Sequence, residues 1–280
     1  MTALRERLAG GRTVWAAGIY DSLSARLAEE AGFDAVMTGG LGMTASLLGM
    51  PDFELLTLTE NVGVVARAAK AVSIPVIADI DTGYGNTVNV GRSVAEFRAA
   101  GAQAVIMEDQ VSPKRCAACV DETELIPIDE AAAKIRAARE AAGDAVIVIA
   151  RTDSFDPPEA IARAQAYVAA GADMIQPVSK CFSDHAGLVE LRSRAGVPLS
   201  IQILGWLEKL SPDEVEQIAG IATFSLVALM TTSAALRENL AALRKDRSTS
   251  ALPRPRTALG AFNEFIGFDA LLEEQQKFYR

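Results

Sequence analysis

The chain has 280 residues, 50% of them apolar and 22% charged, with a net charge of −9. It can bury a large core, and its acidity disfavours nucleic acid or an acidic membrane as the main partner. Three cysteines are too few for a disulfide scaffold of this size. No run approaches the ~18 apolar residues of a membrane span, and Met1–Arg7 has no apolar signal core, so the expected location is the cytoplasm.

Along the chain, short apolar runs alternate with amphipathic ones. A strand is expected at Val14–Ala17 and a helix at Ser22–Ala31. A strand at Ala35–Thr38 comes next, then a helix at Thr59–Ala71. The strand Val76–Asp79 leads to a helix at Val88–Ala100, and Ala104–Glu108 leads to one at Ile128–Ala142. The strands Ala145–Ala150, Met174–Val178 and Leu199–Gln202 precede helices at Pro158–Ala170, His185–Arg194 and Pro212–Ala219. An eighth strand is placed near Thr223–Leu229, before a helix at Ser233–Arg244. Gly32, Gly101 and Gly171 each sit just past a helix, where a left-handed cap is needed. Continuous apolar strands alternating with helices imply parallel pairing with both faces covered, and this many units fit a (β/α)₈ TIM-type barrel better than an open sheet. The barrel is assigned to residues 1–247. Residues 248–280 are a linker with Pro253 and Pro255 and a helical tail carrying Phe262, Phe265, Phe268 and Leu271. Such a tail packs either on a neighbouring subunit or on its own barrel.

In a barrel of this kind, active residues come from the loops after the strands. Asp79 and Asp81 follow the third strand, and Glu108 and Asp109 end the fourth. Oxygen ligands converging at a barrel mouth suit a hard divalent cation such as Mg²⁺, with Mn²⁺ as a substitute, so Asp79, Asp81 and Glu108 are the expected metal ligands. Arg151 follows the fifth strand and offers a fork for a carboxylate or phosphonate, with Asp153 beside it. Backbone amides of Thr38, Gly39 and Gly40 are candidate oxyanion donors, although a tight turn explains the glycines equally well. The polar segment Val111–Thr123 reads as a lid. On it, Lys114 and Arg115 flank Cys116 and are expected to lower its thiol pKa. Cys116 and Cys119 form a C-x-x-C pair without the companions of a zinc site, and Cys181 reads as a pocket-wall thiol. His185, the only histidine, reads as a surface residue.

Asp79–Asn86, Ile106–Gln110, Pro113-Lys114-Arg115-Cys116 and Ala150–Asp153 together resemble the isocitrate lyase / phosphoenolpyruvate mutase superfamily. Thr38-Gly39-Gly40 and Ala45–Asp52 fit as well, and the likeness runs in order over about residues 12 to 245. The resemblance implies a Mg²⁺-dependent enzyme acting on a small 2-hydroxy or 2-oxo acid. It also implies a homo-oligomer, dimer or tetramer, that swaps its C-terminal helices. Lyases of the superfamily carry Lys-Lys/Arg-Cys-Gly-His on the lid, with the cysteine as acid–base residue; Cys116 matches, whereas Ala117-Ala118 replaces Gly-His. Methylisocitrate lyases have a Glu after the sixth strand's proline, where this chain has Val178. Their Asn and Thr after the seventh strand align with Gln202 and Leu204.

The leading expectation is a carbon–carbon lyase that cleaves a substituted malate-type acid to an α-oxo acid and a carboxylate through an enolate. Cys116, Arg151, Lys114 and Asp52 are the expected catalytic residues. Thr38, Gly39, Gly40, Arg115, Gln202 and Asp81 are expected to bind substrate, with poor activity on isocitrate or 2-methylisocitrate. Phosphonopyruvate hydrolysis, carboxyphosphonoenolpyruvate rearrangement, oxaloacetate decarboxylation and a non-catalytic binding barrel are the alternatives.

Overall fold

The computed structural model describes residues 2–279. Helix α1 (Ala3–Ala9) precedes strand β1 (Val14–Ile19) and helix α2 (Ser22–Glu30). Strand β2 (Ala35–Thr38) is followed by two helices, α3 (Gly40–Leu48) and α4 (Leu58–Ala71). Five regular repeats come next: β3 (Val76–Asp79) with α5 (Thr87–Ala99), β4 (Ala102–Glu108) with α6 (Ile128–Ala142), β5 (Ile147–Thr152) with α7 (Pro157–Ala169), β6 (Met174–Pro177) with α8 (His185–Ala195), and β7 (Leu199–Gln202) with α9 (Pro212–Ile218). Strand β8 (Ala219–Phe224) leads into α10 (Val227–Asp246), and α11 (Leu259–Ile266) and α12 (Phe268–Lys277) form the tail.

The strands form a closed parallel barrel in chain order, shut by β1 pairing with β8. Alternation along each strand decides what faces where. Ala35, Met37, Ile77, Ala104, Ile106, Ile147, Ile149 and Met174 fill the barrel interior. Their neighbours Val36, Ala78, Val105, Val148 and Ala150 pack outward in the strand–helix core. One step further along the inward face come Asp79 after Ile77, Glu108 after Ile106, Arg151 after Ile149 and Gln176 after Met174. The same two-residue period that builds the core therefore delivers polar groups to the C-terminal rim. At the opposite end Leu4 of α1, fully buried, joins the interior cluster, and its N–H donates to Gln103 Oε1 at 3.0 Å.

The expected barrel is present, and Gly32, Gly101 and Gly171 adopt φ of 87°, 102° and 103°. The eighth strand is corrected: it starts directly after α9, at Ala219, and ends at Phe224. The apolar run from Val227 is instead the first turn of α10. Short apolar runs fit either state, and tertiary packing decides here. Just past β8 the Ser225 backbone passes so close to Gly18 of β1 that a Cβ there would collide with it, and glycine permits this approach. Helices α1 and α3 were not expected, and Arg151 lies within β5 rather than after it.

Packing divides the chain after Leu229. In the second unit Arg254 grips Glu238 with two hydrogen bonds of 2.7 Å each, while Leu259, Phe268, Leu271 and Phe278 are exposed. Among the described residues, no helix is long and apolar enough to cross a membrane.

Candidate active site

Asp79 ends β3 with its carboxylate already engaged. It accepts from Asp81 N at 3.1 Å and from Gly40 N, in the first turn of α3, at 3.3 Å. The expected amide donors Gly39 and Gly40 thus line the cavity, but the Gly40 amide serves Asp79, and Thr38 is fully buried at the end of β2. Asp81 sits in a turn with φ of 49°, a conformation that non-glycine residues rarely adopt. Tyr84, at φ 61°, donates its hydroxyl to Asp81 Oδ2 at 2.9 Å. Asn61, buried on the inner face of α4, donates to both the Tyr84 hydroxyl (2.8 Å) and the Asp79 carbonyl (2.9 Å). The turn that aims Asp81 is held from behind by these two side chains.

Lys114 reaches from the lid into this nest. Its ammonium lies 2.8 Å from Asp52, 3.2 Å from Asp81 and 3.4 Å from Glu108. Burial opposes its charge, but Glu108, Asp81, Asp79 and Asp52 outweigh burial and hold it firmly protonated. Arg151 pairs with Glu108 at 2.7 Å and with Asp153 at 2.8 Å. Five buried carboxyl groups, Asp52, Asp79, Asp81, Glu108 and Asp153, therefore share two cations. The imbalance is felt. Burial, only partly offset by Lys114, pushes Asp81 up to about 7. Burial likewise lifts Glu108 well above the carboxylate range, against the pull of Arg151 and Lys114.

Among the described residues, no three acidic, histidine or cysteine side chains already close around one point as a metal cluster, and Lys114 stands amid the acids. The chemistry of the donor set nonetheless fits a hard divalent cation: buried carboxylate oxygens with an excess of negative charge. Asp81 Oδ1 is buried and, among the described residues, accepts no hydrogen bond, while the Lys114 ammonium lies 3.2 Å away. A Cβ at Gly40 would sit 3.1–3.3 Å from the Asp52 and Asp81 carboxylates, so glycine keeps this cradle open.

Glu108 and Asp109, adjacent in sequence, part company. Asp109 faces outward, accepting from the Tyr167 hydroxyl at 2.7 Å and pairing with Arg163 at 3.2 Å, both on α7. It also accepts from Asp153 N at 2.9 Å, which positions the carboxylate that holds Arg151. Gln110 adds a link, donating to Asp153 at 2.6 Å and to the Arg115 carbonyl at 2.9 Å. Asp109 and Asp153 are orienting groups in this geometry.

The lid places Cys116 and Ala118 against the cavity. The expected lowering of the Cys116 pKa is corrected: burial, the Cys119 thiol and Asp52 push it up to about 12, and Lys114 opposes them only weakly because its charge is spent on the acids. Arg115 is exposed; its backbone, not its guanidinium, is tied in through Gln110. Glu54 was missed by sequence reading. It accepts from Ser112 Oγ and Lys114 N, each at 2.8 Å, and from Thr82 Oγ1 at 2.5 Å, joining the lid to the turn after β3.

The remaining cavity wall comes from β6 to β8. Gln176, Val178, Gln202, Leu204, Leu226 and Leu229 line it, with no cationic residue among them. Gln176 is fixed by Ser200, whose hydroxyl donates to its amide oxygen at 2.8 Å. His185 lies outside the cavity, its ring Nε2 2.9 Å from the Glu214 carbonyl, and Cys181 is buried, with burial pushing its pKa up to about 12.

Three comparisons relate the chain to known proteins. The chain is 32% identical to 2,3-dimethylmalate lyase of Eubacterium barkeri over 98% of its length and 96% of that protein. It is 39% identical to an oxaloacetate decarboxylase of Pseudomonas putida (strain GB-1), covering 72% of this chain and 70% of that one. A solved phosphonopyruvate hydrolase in complex with oxalate and Mg²⁺ superposes with a TM-score of 0.89 at 31% identity, covering 99% of this chain and 98% of the other. Residues 4–245 match the family model described as phosphoenolpyruvate phosphomutase. The chain belongs to that family, within the PEP mutase/isocitrate lyase superfamily of enzymes.

Proposed function

We propose that the protein is a Mg²⁺-dependent carbon–carbon lyase that cleaves a substituted malate-type 2-hydroxy acid into an α-oxo acid and a carboxylate. The observation that carries this reading is that Cys116 lines the same cavity as Asp79, Lys114 and Arg151. An acid–base thiol facing an anion-holding arginine and a carboxylate nest is what bond cleavage next to a carbonyl requires.

Bound among Asp79, Asp81 and Glu108, Mg²⁺ or Mn²⁺ would supply the positive charge that offsets negative charge growing on a substrate oxygen. Arg151, oriented by Glu108 and Asp153, holds the anionic oxygens of the α-oxo acid portion. Asp52 and Lys114 fix the lid over the site. A thiol pushed up to about 12 stays protonated at neutral pH, so in the cleavage direction the electron pair of the broken C–C bond passes to the departing carboxylate fragment, whose carbon takes the Cys116 proton, while the 2-hydroxyl gives its proton to the buried carboxylates and becomes the oxo group. Because the β6–β8 wall is uncharged, that fragment carries alkyl bulk in preference to a further carboxylate. The exposed apolar side chains of the tail are proposed to pack on another copy of the chain.

A panel of alkyl-substituted malates, isocitrate, oxaloacetate and phosphonopyruvate, assayed with Mg²⁺, tests this reading. Release of an α-oxo acid from an alkylmalate is the expected outcome. Turnover confined to phosphonopyruvate with phosphate release, or to oxaloacetate with CO₂ release, would overturn it in favour of the hydrolase or the decarboxylase.

A further inference from the structure

Cys119 touches no reacting group in the lyase chemistry above, yet its thiol borders the residue that does. Its sulfur lies 3.3 Å from that of Cys116. Cys116 faces the cavity, whereas Cys119 is exposed. The turn carrying the pair is pinned along its length: Cys116 N donates to the Asp52 carbonyl at 3.2 Å, and Cys119 N to the Cys116 carbonyl at 2.8 Å. Just beyond, the Val120 carbonyl accepts from Lys180 Nζ at 2.6 Å. The two sulfurs are thus held together, one reachable by a small oxidant and the other at the reaction cavity. A disulfide needs its sulfurs ~2.05 Å apart, a further approach of about 1.2 Å.

We propose that Cys116 and Cys119 form a reversible, peroxide-driven disulfide that removes the acid–base thiol and switches the enzyme off. The switching half rests on the role given to Cys116 above; the pairing half does not. The exposed Cys119 reacts first. Its sulfur attacks one oxygen of hydrogen peroxide, the O–O bond breaks, and one water leaves behind a Cys119 sulfenic acid. The Cys116 sulfur then attacks the sulfenic sulfur. The S–O bond breaks, and the departing hydroxide takes the Cys116 proton as a second water. Two thiols have lost two electrons and two protons, and the peroxide has gained both. The order of attack follows exposure: Cys119 is open to solvent, whereas burial and the Cys119 hydrogen bond hold Cys116 protonated, and the hydrogen bond vanishes once Cys119 is oxidised. Cys181, buried elsewhere, is expected to stand aside.

The test treats the reduced 280-residue protein with hydrogen peroxide. It follows accessible thiols in denaturant, the mass of the peptide carrying both lid cysteines, and turnover of the best acid from the panel. Thiols are expected to fall from three to one. The peptide should lose ~2 Da, and dithiothreitol should reverse the mass change and the loss of turnover together. Cys119→Ser, judged against its own untreated turnover, should show no such mass loss and survive peroxide doses that silence the parent. An unchanged peptide mass, a disulfide to Cys181, or equal reversible inactivation of Cys119→Ser would overturn the pairing while leaving the lyase reading intact. A Cys116–Cys119 disulfide formed with undiminished turnover would overturn the switch and the catalytic role of Cys116 alike.

Discussion

The two halves of the barrel rim are built from different materials. From β2 to β5 the rim is crowded with charge, five buried carboxyl groups around Lys114 and Arg151. From β6 to β8 it offers amides and leucines, Gln176, Gln202, Leu204, Leu226 and Leu229. The charged half is expensive to bury, and its side chains are tied by short contacts to neighbours behind them. The neutral half costs little and has few such ties. The proposed function therefore gives chemistry to the first half and choice of substrate to the second.

The largest expected effect falls on the thiol at their border. Cys116→Ser should lower kcat by about 10²–10⁴, the range for a lost acid–base group, with unchanged circular dichroism. Undiminished turnover would show that the charged half works without it. The same thiol gives a pH test of its surroundings. With a pKa pushed up to about 12, its thiolate fraction grows tenfold per pH unit well into the alkaline range. Iodoacetamide labelling of Cys116 should therefore accelerate on the order of 10³-fold from pH 7 to pH 10, read by peptide mass. A plateau near pH 8 would mean that Lys114 activates the thiol after all.

Support for the charged half ranks next. Asn61→Ala removes the donor that steadies both the Asp79 carbonyl and Tyr84. It should cost about 10–100-fold in kcat or in Mg²⁺ affinity, as lost outer-shell partners do at metal sites. Unchanged kinetics and metal titration would mark Asn61 as packing only. The smallest effect is placed in the neutral half. Gln202→Arg should improve kcat/KM for a substrate with an extra carboxylate, relative to an alkylmalate, by roughly tenfold, through one added charge-assisted contact. A uniform loss on both substrates would deny this half its selecting role.

Much of the charged half is legible in sequence because strand periodicity is strict. Once Ile77, Ile106 and Ile149 are inside, Asp79, Glu108 and Arg151 must be too. The same rule separates Glu108 from Asp109, which sequence reading left side by side. Asn61 carried a signal that went unread, a polar residue on a face shared with Val64, Val65 and Ala68. Glu54 carried none, since its partners Thr82, Ser112 and Lys114 lie on distant loops that only the fold unites. The Cys116 pKa was misjudged for a related reason. Flanking basic residues act by where their charges end up, and Lys114 turns to the acids while Arg115 turns to solvent. The eighth strand was misplaced because a run of apolar residues has no period to read until its neighbours are known.

The central claim is that the β2–β5 carboxylates, with an uncompensated excess of charge, hold a divalent cation. Calorimetric titration of Mg²⁺ into the unmodified protein and into Asp79→Asn, Glu108→Gln and Gln202→Leu tests it most directly. The account predicts one saturable site per chain that survives Gln202→Leu and disappears in the two acid variants. Equal binding in all four proteins, or no binding in the unmodified chain, would contradict it.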